Sequence, residues 1–198
     1  MTILEFDEIE KYQEVRDWIK SLTPSQLMQN KKRVVDVVWD FLEYVYVLGF
    51  ATASEEVGQL AEDVKSVLPK DYDDLTDEQK KEADKEIYKK FADKDFQDRV
   101  SQYAELGNAS DIIRVVETDG NRVYNAGGYN AVKGRAKTKT WFTADDDRVR
   151  ATHEPLEGIT VKADDVFVTY DGDEARFPGD FSNPANNVNC RCTVEFDK

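Results

Sequence analysis

The chain holds two cysteines and one histidine, and all three fall in two short stretches: Asn189-Cys190-Arg191-Cys192 and Asp147-Arg148-Val149-Arg150-Ala151-Thr152-His153. Thiols and imidazole suit zinc, so His153, Cys190 and Cys192 can be three ligands of one ion, with Asp147 or a water as the fourth. The spacing is unusual, because structural zinc sites place two or more residues between paired cysteines. On a strand, Cys-x-Cys points both side chains to one face, which serves a metal or simply buries two small apolar groups. A nucleophilic cysteine with His153 as base is a second chemistry, but no third group is evident to orient the base. Asp145, Asp146 and Asp147 offer a third, as a Mg²⁺ site for phosphoryl chemistry, although such a run more commonly forms a solvated turn. The reading these residues favour is a polar network. In it Asp147, Arg148, Arg150, His153 and Glu117 satisfy one another and hold a small module together without a metal.

The elements that must position these groups fall into two parts. Ile9, Tyr12, Val15, Trp18, Ile19 and Leu22 recur at helical spacing and predict a helix over 4–22. Thr23-Pro24 reads as an N-cap followed by proline at the first helical position. A long helix apolar on most sides follows over 25–50, with Trp39, Phe41 and Leu42 expected in a helical core and Gly49 at a kink or a close packing contact. A further helix over 53–68 ends before Pro69, and 70–75 reads as a charged linker. Thr76-Asp77-Glu78-Gln79 matches a capping box. The helix it starts runs to Phe91 with a thin apolar edge of Ile87, Tyr88 and Phe91. A shorter helix over 95–106 is stopped by Gly107-Asn108. Ser110 can cap the next helix, 111–133, on which Arg114, Glu117, Asn121 and Asn125 share one face. Gly120, Gly127 and Gly128 within it predict close packing or a break. Beyond Gly134 the composition changes to short strands at 139–143, 159–161, 166–168 and 193–196 among turn formers, with a turn and short helix reaching His153. The fold class is therefore α+β: an N-terminal helical arm or bundle over 1–108, then a small loop-rich α+β module over 109–198 with a short antiparallel sheet.

Composition sets bounds on function. Acids outnumber bases by 41 to 27, for a net charge of −14, so phosphate repulsion opposes strong non-specific binding to nucleic acid. Such a chain can instead offer an acidic face to a basic partner. No apolar run reaches the ~18–20 residues of a membrane span. The opening Met1-Thr2-Ile3-Leu4-Glu5 lacks the pattern of a signal peptide. A Cys190–Cys192 disulfide would close a strained ring, and reduced thiols in the cytosol are expected. No phosphate loop, GxSxG or HExxH occurs, which argues against the common hydrolase and nucleotide chemistries.

In order along the chain, the residues resemble those of the phage Mu F-like minor head proteins, a branch of the phage head morphogenesis proteins. The pattern starts at Arg114-Val115-Val116-Glu117-Thr118, continues through Arg122 and Asn125, and takes in Lys139-Thr140-Trp141. It then runs through Asp146-Asp147-Arg148-Val149-Arg150, His153 and Leu156-Glu157-Gly158, past Phe167 and Pro178, to Pro184 and Asn189-Cys190-Arg191-Cys192. The resemblance covers about 110–196. It implies a low-copy structural protein of a tailed-phage virion, associated with the portal or capsid interior and acting in procapsid assembly, with DNA packaging or delivery as a further role. The implied location is the virion head, and the host cytoplasm during assembly. The implied partners are portal or capsid proteins, with self-association left open. The family signature gives no catalytic residue and no cofactor. It marks Arg114, Glu117, Arg122, Asn125, Asp147, Arg148, Arg150, His153, Asn189, Cys190, Arg191 and Cys192 as a polar set. The alternative is an enzyme, metal-dependent or nucleotide-using, with its site at Asp147, His153, Cys190 and Cys192 and with zinc on the last three.

Three spatial expectations follow. Glu117 should pair with Arg148 or Arg150. A terminal strand over 191–196 should pair beside 139–143. That pairing should bring His153 close to Cys190 and Cys192, because the turn-rich chain between them cannot build a separate core.

Overall fold

Thr23 begins a helix because its hydroxyl accepts the Gln26 N–H at 3.3 Å while Gln26 Oε1 accepts the Thr23 N–H at 2.9 Å, and Pro24 follows with φ already set. A computed structural model of the protein describes residues 9–58, 75–90 and 94–198, apart from the side chains at 88–90 and 94–95. The expected helix start at 4–8, most of the 53–68 helix, the linker and the contacts of Tyr88 and Phe91 lie outside the described residues. Two compact units are present. Of the described residues, 9–45, 75–90 and 94–120 form one, and 46–58 and 121–198 form the other.

The first unit is helical. It contains α1 (Glu10–Ser21), α2 (Pro24–Gln29), the first part of α3 (Lys31–Glu56), α4 (Asp77–Lys90), α5 (Lys94–Glu105) and the first half of α6 (Ala109–Val132). The single helix expected over 25–50 is two, broken at Asn30. The Asn30 amide donates to the Gln26 carbonyl at 2.7 Å and closes α2. Tyr12, Ile19, Leu27, Val34, Val38, Phe41, Leu42, Ile87, Phe96 and Ile112 form the core. Trp39 is not part of it. The ring is half-buried, lies edge-on to Phe96, and its N–H is shared between Glu43 at 3.0 Å and Asp84 at 3.1 Å. A tryptophan in a valine-rich run looks apolar, yet its indole needs an acceptor and takes a place at the rim. The capping box at Thr76 forms as expected, with reciprocal bonds to Gln79 at 3.2 and 2.9 Å. The cap of α6 is Asn108 rather than Ser110. Asn108 Oδ1 accepts the Asp111 N–H at 3.1 Å, and Ser110 is already inside the helix. Gly107 turns the chain between α5 and α6 with φ +67°.

The second unit sets a small sheet on the later halves of α3 and α6. The helices meet through reciprocal glycines. A Cβ on Gly49 would lie 2.1 Å from the Tyr124 carbonyl oxygen, and one on Gly127 would lie 2.1 Å from the Tyr46 carbonyl oxygen. The glycines thus signal close approach, and α6 continues through them unbroken. The sheet has the order β2-β1-β5, all antiparallel, from β1 (Thr138–Phe142), β2 (Thr160–Lys162) and β5 (Thr193–Asp197). The expected pairing of the terminal strand with β1 is present, in a register that runs from Thr138↔Asp197 to Phe142↔Thr193. A two-residue hairpin, β3 (Phe167–Val168) with β4 (Glu174–Ala175), and a one-turn α7 (Pro184–Asn187) complete the unit. Neither β4 nor α7 was expected, because both are too short to show periodicity. Among the described residues no helix is long and apolar enough to cross a membrane.

Strand alternation places Lys139 and Trp141 on the inner face of β1. The Lys139 ammonium is buried without a hydrogen-bond partner and lies 5.1 Å from the ring centre of Tyr129 and 5.3 Å from that of Phe167. Burial pushes its pKa down from 10.5 to about 8, partly offset by Asp164. The folded state therefore carries the full desolvation penalty below about 8. It releases the proton before the unfolded chain does, so stability from this group rises between about 8 and 10.5 and is constant above. Lys139→Met should remove that rise and stabilise the protein at pH 7 by on the order of 1–3 kcal/mol. Urea unfolding at pH 7 and pH 10 measures both, and parallel pH profiles for the two proteins would contradict the assignment.

Candidate functional site

His153 stands at the end of a turn that begins at Asp146 and just before a 3-10 turn, Glu154–Leu156. The turn is pinned at several points. Asp146 accepts the Arg148 N–H at 3.0 Å and pairs with the guanidinium groups of Arg148 and Arg191. Arg191, then Arg148, hold its carboxyl well below the usual carboxylate range. Arg150 reaches the other way and donates to the carbonyls of Ala185 and Val188, where α7 ends and leaves acceptors free. Thr152 donates to Asn186 Oδ1 at 2.9 Å, and the Asn186 amide donates to Asp173 at 2.9 Å. Asp173 also accepts from the N–H groups of Ser182 and Asn183 and from the Ser182 hydroxyl. This set, led by Asn186, lowers its pKa to about 2. The turn-rich segment is thus ordered by charged and amide side chains more than by a sheet ladder.

The cysteines arrive from the other side. Asn189 adopts φ +57°, a left-handed conformation that asparagine tolerates, and turns the chain from α7 towards β5. Arg191 then faces outward to Asp146 while Cys190 and Cys192 face inward and are buried. Two amides on α6, Asn121 and Asn125, both donate to the Cys192 carbonyl at 3.1 Å. Both sulfurs converge on one imidazole nitrogen: Cys192 Sγ lies 3.5 Å and Cys190 Sγ 3.7 Å from His153 Nδ1. The imidazole stacks on Phe181 at 5.1 Å and meets Trp141 edge-on at 5.5 Å. The hydrogen bond from Cys192, followed by His153, holds Cys190 well below its ordinary value against the opposing effect of burial. The same bond and burial push Cys192 up.

The polar set expected from the sequence divides between the units. Arg114 pairs with Asp111 at 2.8 Å and Glu117 accepts the Tyr12 hydroxyl, both in the helical unit. The expected pairing of Glu117 with Arg148 or Arg150 is therefore incorrect. Those arginines find Asp146 and the α7 carbonyls instead, because partners nearby in the turn leave them no need of a distant one. In the sheet unit, Arg122 packs its aliphatic stem against Gly179, where a Cβ would come within 2.8 Å. Asn125, Asp146, Arg148 to His153, and Asn189 to Cys192 gather around the buried cluster. Asp147 is exposed and outside it; among the described residues, the group placed to hold a metal ion is His153, Cys190 and Cys192. A cavity of about 10 Å³, the size of one water, opens beside these three and Arg148, Asn189 and Arg191. The residues that sequence reading left out of the set are Asp146, Asn121, Asp173 and Asn186. Of these Asn121 carried a usable signal in its four-residue spacing from Asn125, and Asp146 in the acidic run and the family pattern; Asp173 and Asn186 carried none.

An α+β chain in which a buried imidazole and two thiols tie a turn to a terminal strand is a module organised by its polar residues. The model of the family described as phage Mu protein F-like protein matches residues 78–195. That is more than half of the sequence, and the chain belongs to this family. The minor head protein GP7 of Bacillus phage SPP1 is 33% identical over 81 residues, which are 39% of this chain and 26% of that protein. The NAD(+)--arginine ADP-ribosyltransferase EFV of Enterococcus faecalis is 35% identical over 87 residues, 41% of this chain and 18% of that protein. The chain therefore spans about a quarter of the first relative and less than a fifth of the second. No solved structure matches it.

Proposed function

We propose that the protein is a minor structural component of a tailed-phage head that acts in head assembly beside the portal. The observation that carries this reading is the family match over 78–195, which takes in α4 to β5 and the whole His153–Cys190–Cys192 cluster. The likeness to a minor head protein supports it. In this reading the helical unit supplies a docking arm for portal or capsid protein, and the sheet unit forms a folded adaptor. The excess of acid gives the arm a complement in a basic partner surface and opposes wrapping in packaged DNA. The protein resides in the virion head after assembly in the host cytoplasm, and a role in packaging or delivery of DNA would follow from a place near the portal.

The enzyme alternative draws on the likeness to a transferase. It requires room for a substrate beside Cys190 and His153, and the cavity there holds about one water. A shared module on two differently equipped proteins accounts for the likeness with less. The test is co-expression with the portal and major capsid proteins of the same phage, followed by affinity capture and mass spectrometry of purified particles. Capture with portal protein and a few copies per particle are expected. Absence from particles, with no association with either protein, would overturn the proposal.

A further inference from the structure

The two sulfurs and the one nitrogen meet in a way that hydrogen bonding among them does not explain. A neutral imidazole nitrogen has either one lone pair or one proton, directed along a single line in the ring plane. It can make one good hydrogen bond, yet Cys190 and Cys192 stand at nearly equal distances, 3.7 and 3.5 Å, from the same Nδ1. A cation at the point of convergence bonds all three. With Zn–S about 2.3 Å and Zn–N about 2.0–2.1 Å, the S···N edge of a tetrahedral site is about 3.5–3.6 Å. The observed separations match that edge, and the three donor atoms lie within 4.8 Å of one another.

The surroundings agree with a soft metal. The donors are two sulfurs and an imidazole with no carboxylate among them, a set that selects zinc over magnesium or calcium. Two thiolates balance a divalent charge, so the filled site is neutral and suits walls built from Trp141 and Phe181. The backbone is already fixed: Asn121 and Asn125 hold the Cys192 carbonyl, and Arg191 anchors the intervening residue outward to Asp146. That outward anchor is how a spacing as short as Cys-x-Cys presents both sulfurs to one point. The water-sized cavity lined by the three donor residues gives room for a fourth ligand.

We infer that His153 Nδ1, Cys190 Sγ and Cys192 Sγ form a zinc site whose fourth position takes a water. The metal fastens the turn that carries His153 to the terminal strand, and it goes beyond the assembly role proposed above. The full chain, purified under reducing conditions without chelator or metal-affinity resin, should contain about one zinc per molecule by elemental analysis. Cobalt chloride added to the metal-free chain should give a thiolate-to-metal charge-transfer band with the ligand-field bands of a four-coordinate ion. His153→Ala, Cys190→Ser and Cys192→Ser should each lose the bound zinc, while Asp147→Asn keeps it. The cobalt titration uses the native sequence, so it decides the question even where a variant fails to fold. Reduced, folded protein that holds no zinc and gives no thiolate–cobalt band would overturn the inference and leave the metal-free polar cluster. The assembly reading would stand either way, since capture by portal protein is measured separately.

Discussion

Trp141→Ala should lower the stability of the sheet unit by about 3–5 kcal/mol, the range for deleting a fully buried large aromatic side chain. Trp141 is the largest side chain with no exposed surface and sits on the central strand β1. Its ring meets Phe167 at 5.1 Å, His153 at 5.5 Å and Phe181 at 5.8 Å. Removing it therefore opens a cavity bounded by the hairpin, the His153 turn and the loop before α7 together. None of these can slide inward, since Asp173 and Asp146 tether them by several bonds each. Urea unfolding followed by circular dichroism should show the loss as a lower midpoint, with the slope unchanged if the unit stays cooperative. A change below about 1 kcal/mol would mean that the loops collapse onto the space and that the tethers are weak.

Gly49→Ala and Gly127→Ala should each cost about 3 kcal/mol or more, the upper end for an overpacked contact. The clash is with a carbonyl oxygen in both cases, at 2.1 Å, so no rotamer change relieves it and one helix must move away from the other. Alanine gains about 1 kcal/mol of helix propensity over glycine, too little to offset that displacement. Gly128 is the control. A Cβ there would sit 3.4 Å from Ala53 and Phe196, close to ordinary contact. Gly128→Ala should stay within about 1 kcal/mol of the native protein because helix propensity and slight crowding oppose each other. Thermal unfolding of the three variants side by side gives the comparison, and equal behaviour of Gly127→Ala and Gly128→Ala would refute the close crossing.

What could be read from the sequence was whatever repeats or carries a local signature. The N-cap at Thr23 declares itself through the proline that follows and the capping box at Thr76 through its three-residue spacing, and both helices start where they say. The pairing of β5 with β1 was legible because few apolar segments after Gly134 had to share one core. The helical glycines announced close contact but not the partner backbone. Asp146 and Asp147 are chemically identical neighbours, and only the register of the turn selects the first to bind Arg191. Glu117 failed for a related reason. Sharing a helix face with Asn121 and Asn125 does not oblige it to share their surroundings, and Tyr12 takes its carboxylate. Asp173 and Asn186 gave no sign, since side chains that organise a loop follow no period.

The position of β5 also bears on how the chain reaches its native state. Its partner strand β1 ends some fifty residues earlier, at Phe142↔Thr193. Such a contact closes a large loop before it gains anything, whereas each helix closes its own i to i+4 hydrogen bonds locally, and folding rates fall as contacts become less local. Individual helices should therefore form before the sheet closes. In the interval Trp141 and the edge of β1 stand open, and the chain is then most exposed to misassociation.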